Sequence, residues 1–366
     1  MTIRFGLIGL GKMGISHLAT VNTHPDVELA AVCDSNRYVL DVLNKYTGVR
    51  GYTDHRKMIQ EVPLDAAIIS TPSRIHGELV RYALEQNVHV FCEKPFCLDV
   101  VEGAALVDLA EEKGLVNQVG YHYRFVSAFN EAKRLIDAGV IGRVHHVRVE
   151  AYGPVILRTK GATWRTARNE GGGCLYDYAC HAIDLAIYLM GAPNAVGGTV
   201  LNKIFSREVE DEVYTTLFFP DGKTAQIAAN WCDESHRKMH TKVTIWGTNG
   251  RISADRQECQ LYLREPVEAH PELNRGWSAR FTTDLTEPVW FYLRGEEYSA
   301  QIDYFIRCIR DGIKENINSF SSARQTDWVV KMMQLDAEAP RRILDAEGAQ
   351  RSARQQPKGL FARFAR

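Results

Sequence analysis

The apolar run Ile3-Arg-Phe-Gly-Leu-Ile8 predicts a buried strand. It passes through Gly9-Leu10-Gly11-Lys12-Met13-Gly14 into a helical pattern carried by Ile15, Leu18 and Val21. The alternation continues with a strand from Val27 to Cys33, helices over about 36–46 and 54–61, and a strand over 65–70 stopped by Thr71-Pro72. His76 opens the next helix, Val88 to Cys92 forms a strand ending in Glu93-Lys94-Pro95, a helix covers 99–113, and Leu115 to Val119 is again strand-like. Strands alternating with helices predict a doubly wound parallel sheet over residues 1–125. Beyond residue 126 the pattern changes. A helix over 127–138 precedes β-rich runs at 144–151, 195–205, 212–219, 224–231 and 239–246, with Pro220-Asp-Gly222 and Thr248-Asn-Gly250 as turns. These predict a second domain over 126–340, built on a large, mostly antiparallel open sheet, with late helices over 296–310 and 323–337. The expected class is therefore α/β plus α+β.

With 366 residues, 45% of them hydrophobic and 24% charged, the chain suits two soluble domains of ordinary size. A formal net charge of −1 gives no global field that recruits nucleic acid or a membrane surface, so a small molecule is the expected partner. Met1-Thr-Ile-Arg enters the first strand directly, leaving no space for a secretory leader, and no apolar run approaches the roughly 18 residues of a membrane helix. A cytoplasmic location is expected. Eight cysteines occur without a Cys-x-x-Cys pair or zinc-ligand histidine spacing, which predicts reduced, buried thiols and no metal. The end of the chain differs from the body: residues 341–366 carry seven Lys or Arg against Asp345 and Glu347 and are expected to form a basic, solvated tail.

Several side chains suggest chemistry. A glycine turn between strand and helix admits a pyrophosphate at the helix N-terminus, and Asp34, 20 residues after Gly14, ends the second strand where a carboxylate binds ribose hydroxyls. Lys94 stands at the carboxyl end of a strand, where open parallel sheets bind ligands, and Glu93 is expected to hold it. In Glu170-Gly-Gly-Gly173-Cys-Leu-Tyr-Asp177-Tyr-Ala-Cys-His181, the glycines allow close approach to the main chain. Asp177 and His181 are four apart, so on a helix they share a face, with Asp177 expected to orient a His181 base. Lys160, Trp164, Arg165 and Arg168 precede that turn; an indole beside guanidinium groups suits a sugar, and a buried Trp with surface arginines is the competing reading.

Together, Gly9-x-Gly11-x-x-Gly14, Asp34, Thr71-Pro72 with His76, Glu93-Lys94-Pro95, and Gly171-Gly-Gly173 with Asp177 and His181 resemble the glucose-fructose oxidoreductase/inositol dehydrogenase/rhizopine-catabolism (Gfo/Idh/MocA) family over roughly residues 3 to 340. The resemblance implies Lys94, Asp177 and His181 as catalytic groups. It implies a coenzyme site at Gly9, Gly11, Lys12, Met13, Gly14, Asp34, Arg37, Thr71, Pro72, His76, Glu93 and Lys94. Tyr121, His122 and Arg124 fall where the chain crosses between domains and, with Trp164 and Arg165, are candidates for the substrate cleft; for Arg124 a structural ion pair is the equal alternative. Asp34 would repel a 2′-phosphate, so NAD is expected before NADP, with Arg37 tempering that preference. The implied activity is hydride transfer between the nicotinamide and a secondary alcohol of a sugar, sugar derivative or sugar nucleotide, or cyclitol, in a homo-oligomer, dimer or tetramer. A coenzyme-binding sensor without turnover is the alternative.

Overall fold

Six short, largely buried segments pair in parallel to make the first sheet: β1 Ile3–Ile8, β2 Val27–Cys33, β3 Arg50–Tyr52, β4 Ala66–Ile69, β5 His89–Cys92 and β6 Asn117–Val119, in the order β3-β2-β1-β4-β5-β6. This computed structural model describes residues 2–158, 161 and 163–340; the basic tail at 341–366 and Lys160 lie outside the described residues. The intervening helices start where short polar side chains satisfy their first free amides. Asn36 caps Arg37–Thr47 by accepting from the Tyr38 and Val39 amides, Asp54 caps His55–Glu61, and Asp99 caps Val100–Lys113. Each cap was expected inside its helix and stands just before it. Strand β3 was not foreseen, because three residues give no periodicity to read.

The second sheet has eight strands: β7 Val144–Tyr152, β8 Ala195–Asn202, β9 Glu212–Phe218, β10 Thr224–Asn230, β11 His240–Gly247, β12 Gly250–Ala254, β13 Glu258–Leu263 and β14 Gly276–Phe281. Their order is β14-β13-β12-β11-β7-β10-β9-β8, antiparallel throughout except for the central β7/β10 pair. The last three strands extend the sheet beyond the five expected runs. Strand β14 is almost wholly exposed and so carries no buried stripe to predict it. The run expected to reach Phe205 stops at Asn202, because Asp211 Oδ2 accepts the amides of Ile204 (2.7 Å), Phe205 (2.7 Å) and Ser206 (2.8 Å) and folds them into a turn.

One face of this sheet packs against helices Ser127–Asp137, Cys180–Met190 and Phe320–Glu338 to form the core of the second half, and the other face is open, with Trp277 60% exposed. The late helix Glu296–Asp311 returns to the first sheet, where Phe305 makes edge contacts with Phe5 and Phe91. Phe320 stacks on Phe96 at 4.3 Å, so the helix Phe320–Glu338, whose Val329, Val330 and Met333 lie in the second core, is tied to the first beside Lys94. All eight cysteines are free thiols, seven of them buried. No helix among the described residues is long and apolar enough to cross a membrane.

Candidate active site

The crevice lies at the carboxyl ends of β1, β4 and β5. Its glycine turn is shaped by two different demands. Gly9 adopts φ +92°, and a Cβ there would meet the Ser70 backbone at 2.8 Å; a Cβ on Gly14 would lie 1.9 Å from the Gly9 carbonyl oxygen. Gly11 is different, because a Cβ there would meet nothing within 4 Å. Packing therefore accounts for Gly9 and Gly14, whereas the space over Gly11, at the N-terminus of helix Lys12–Asn22, is the cradle into which a dinucleotide pyrophosphate fits. Lys12 is exposed and Met13 half-buried beside it. Asp34 is fixed against the turn by accepting the Leu10 amide (2.6 Å) on one oxygen and the Asn36 amide (2.8 Å) on the other. Arg37 is exposed on the following helix and lines a depression with Arg50 and Lys57.

Lys94 reaches out of the end of β5 to the opposite domain. Its Nζ donates to Asp177 Oδ1 (3.1 Å), to the Asp177 carbonyl (3.2 Å) and, at 3.5 Å, to the Tyr176 carbonyl. The other Asp177 oxygen accepts from Arg165 Nε at 3.0 Å, so the carboxylate is shared by two cations. Burial works against every charge here, yet Asp177 and the other anionic neighbours outweigh it and raise the Lys94 pKa, while Lys94 and Arg165 lower that of Asp177. The expected Asp177–His181 contact is not made. Residues Leu175–Ala179 form a π turn, in which the Cys180 amide reaches back five residues to the Leu175 carbonyl. That wider turn breaks the four-residue stacking of an α-helix and turns Asp177 toward Lys94 and its carbonyls toward the ammonium.

His181, 4% exposed, lies among Tyr121 (ring centroids 5.9 Å apart), His122 (4.9 Å) and Tyr123 (5.3 Å). Burial first, and the Lys94 charge second, hold its pKa well below the ordinary histidine value, so the ring is neutral. Its Nδ1 is buried with no hydrogen-bond partner among the described residues, and so is the Tyr121 hydroxyl. His122 is neutral for the same leading reason and stacks on Tyr298 at 4.6 Å.

Other candidates have partners within the protein. Arg124 is 4% exposed and forms a two-pronged pair with Asp184, Nε to Oδ2 at 2.9 Å and Nη2 to Oδ1 at 2.6 Å, while Nη1 is taken by Ser322 Oγ and the Ile317 carbonyl. The ion pair is the second of the two readings expected for Arg124. His76 is buried with its two ring nitrogens facing main-chain carbonyls, Nδ1 2.9 Å from that of Pro95 and Nε2 3.0 Å from that of Thr71; burial keeps the ring neutral, so it donates to one of the two and sits between the loops that flank the crevice. Thr71 follows β4, its amide 2.9 Å from where a Cβ on Gly9 would lie. Glu93 does not hold the Lys94 ammonium: its Oε1 is 2.7 Å from His17 Nε2, and Oε2 accepts the Lys94 amide. Trp164, 37% exposed, lies under the Arg165 guanidinium at 4.6 Å. The glycine triplet packs against the protein itself, since a Cβ on Gly172 would lie 2.4 Å from the Arg165 carbonyl oxygen. His17 and Tyr298 were missed. His17 follows the glycine turn on the buried face of its helix, which was a readable signal; Tyr298 comes from a distant helix and gave none.

The sequence matches two family models, "Oxidoreductase family, NAD-binding Rossmann fold" over residues 3–121 and "GFO/IDH/MocA C-terminal domain" over residues 129–253. It is similar to scyllo-inositol 2-dehydrogenase (NAD(+)) of Bacillus subtilis, 26% identical with 85% of this chain and 87% of the relative covered. Myo-inositol 2-dehydrogenase of Thermotoga maritima is likewise 26% identical, with 87% of each chain covered. Among solved structures, a levoglucosan dehydrogenase complex with NADH and levoglucosan superposes with a TM-score of 0.83 at 24% identity, over 92% of this chain and 97% of that one, a likeness of fold. An NAD-binding Rossmann domain joined to this C-terminal domain places the chain in the Gfo/Idh/MocA family of oxidoreductases.

Proposed function

We propose that this protein is an NAD-dependent dehydrogenase acting on a secondary alcohol of a sugar, sugar derivative or cyclitol. The observation that carries the proposal is the pair Lys94–Asp177, formed across the crevice beside a buried, neutral His181. When bound, the nicotinamide supplies the two-electron acceptor. His181 takes the hydroxyl proton on a ring nitrogen, which a neutral imidazole can do and an imidazolium cannot. Lys94 sets a full positive charge beside the oxygen as negative charge grows on it. Asp177 and the carbonyls of Tyr176 and Asp177 keep that ammonium in place. Tyr121, His122, Trp164 and Arg165 border the substrate. Residues 1–125 would bind the coenzyme and 126–340 the substrate, the latter also forming the contact between copies of the chain.

The names of the similar proteins support the substrate class, two of them being inositol dehydrogenases and a third D-glucoside 3-dehydrogenase of Escherichia coli, 29% identical over 60% of this chain and 68% of the relative. Asp34 supports NAD over NADP, since a carboxylate anchored to the glycine turn repels a 2′-phosphate. The test is coenzyme absorbance with NAD and with NADP across a panel of sugars, inositols and sugar nucleotides. Turnover with a polyol, at higher kcat/KM with NAD, is expected. Equal efficiency with both coenzymes removes the NAD preference, and no turnover with any polyol removes the dehydrogenase assignment.

A further inference from the structure

The segment carrying Asp177 and His181 begins with free amides, as every helix does. It starts beneath a residue of the opposite strand connection. The Glu210 main-chain oxygen accepts the Cys174 amide at 2.9 Å, and its side-chain Oε1 accepts the Leu175 amide, also at 2.9 Å. Glu210 is 5% exposed. Gly173, at φ +110°, leaves the space this carboxyl group occupies, because a Cβ there would lie 2.1 Å from Oε1. Glu210 is itself anchored through its neighbour. Asp211, wholly buried, accepts three amides and the Ser206 hydroxyl, and its Oδ1 also accepts from Trp231 Nε1 at 2.7 Å. The Trp231 amide returns to the Asp211 carbonyl at 3.1 Å. A continuous path thus runs from the end of β10, through Trp231, Asp211 and Glu210, to the first turn of the Asp177 segment.

We propose that Glu210 is a positioning residue for the reaction: by capping this turn it sets the phase in which Asp177 and the Tyr176 and Asp177 carbonyls meet Lys94. The consequence follows from the geometry of the π turn. The Asp177 amide bonds to the Gly173 carbonyl at 3.0 Å, so Gly173, Cys174 and Leu175, the residues Glu210 touches, determine where Asp177 begins its turn. A carboxyl group at this end also opposes the positive end of the helix dipole. Glu210 has no place among the groups that touch the substrate. Its effect on rate passes through the position of the Lys94 ammonium, and leaves the Gly9–Gly14 coenzyme turn alone.

This inference rests on the dehydrogenase reading for its kinetic part only, and the test separates the two. Glu210→Ala and Glu210→Gln are made in the full chain and compared with the parent for deuterium uptake of the 171–181 segment, NAD affinity and kcat on the best polyol. Glu210→Ala is expected to raise uptake in that segment and to lower kcat about tenfold, in line with the loss of one helix cap, while NAD affinity stays within about twofold. Glu210→Gln keeps an oxygen that accepts the Leu175 amide and is expected to recover most of both losses. Unchanged uptake and kcat in Glu210→Ala would overturn the proposal, as would a Glu210→Gln protein no better than the alanine variant. Should Glu210→Ala fail to fold, Glu210→Asp withdraws the acceptor by one methylene and must show the same pair of losses. A parent protein inert on every polyol defeats the dehydrogenase reading, and the uptake comparison then decides the capping role alone.

Discussion

Lys94 Nζ lies 3.1 Å from Asp177 Oδ1, so the acid four residues before His181 serves the lysine and not the histidine. This changes how the three groups should couple. Lys94→Ala, Asp177→Asn and His181→Ala should each lower kcat sharply, His181→Ala by about 10²–10⁴-fold, the usual contribution of a positioned base. Asp177→Asn removes the negative charge shared by two cations and leaves one acceptor oxygen where there were two, so that an NH2 group faces either Lys94 or Arg165. Its loss should therefore overlap that of Lys94→Ala. A double-mutant cycle on kcat/KM should give a coupling of about 0.5–3 kcal/mol between Lys94 and Asp177, larger than that between Asp177 and His181. The reverse order would return Asp177 to the histidine.

The pH profile follows from the burial of His181. A base must be neutral to work, and burial together with the Lys94 charge lowers its pKa well below the ordinary 6.5. The rising limb of the alcohol-oxidation rate with pH should accordingly lie on the acid side of 6.5, leaving a rate insensitive to His181 titration through neutrality. The limb should disappear in His181→Ala. In kcat/KM measurements with saturating coenzyme, a limb centred above 6.5 that persists in the variant would assign the proton to another group.

The parts of the site legible in the sequence were those set by short-range rules. The glycine turn, Asp34 and Lys94 sit at strand ends, and a strand end is readable from where an apolar run meets Gly or Pro. The Asp177–His181 relation was not legible, since the four-residue rule assumes α-helical phase and Leu175–Ala179 is π. Nothing in the local residue pattern announces that extra residue in the turn. For Arg124 the two readings could not be separated, and the role expected of Glu93 was misplaced, for another reason: their partners, Asp184 and His17, are 60 and 76 residues away, and a buried ion pair is a tertiary fact. Strand β14 escaped because exposure on both faces erases the alternation on which strand prediction depends.

The open face of the second sheet carries a prediction about assembly. Trp277 is 60% exposed, Phe281 50% and Phe218 42%, with Trp277 tilted against Tyr262 at 5.2 Å and the Arg251 guanidinium 5.9 Å from its ring centre. Aromatic residues of this kind on a sheet face are typical of a surface that another chain covers. Light scattering should report a dimer or tetramer at micromolar concentration. Trp277→Lys should shift the mass toward the monomer, and a monomeric parent would contradict the assignment.

The Arg124–Asp184 pair is predicted to govern stability and not substrate affinity. Both side chains are buried, 4% and 0% exposed, and their two hydrogen bonds join the His122–Phe125 turn to the helix Cys180–Met190, which also carries His181. Removing one partner leaves the other charge buried and unpaired, at a cost of about 3–5 kcal/mol. Arg124→Ala and Asp184→Ala should each lower the free energy of unfolding by that order in denaturant titrations. Replacing the pair together, Arg124→Met with Asp184→Leu, should cost less than the sum of the single changes, because no orphaned charge remains. Arg124→Lys keeps the charge but loses the second prong. It should be destabilised while retaining the parent's KM for the polyol. A raised KM with undiminished stability would place Arg124 in the substrate cleft after all.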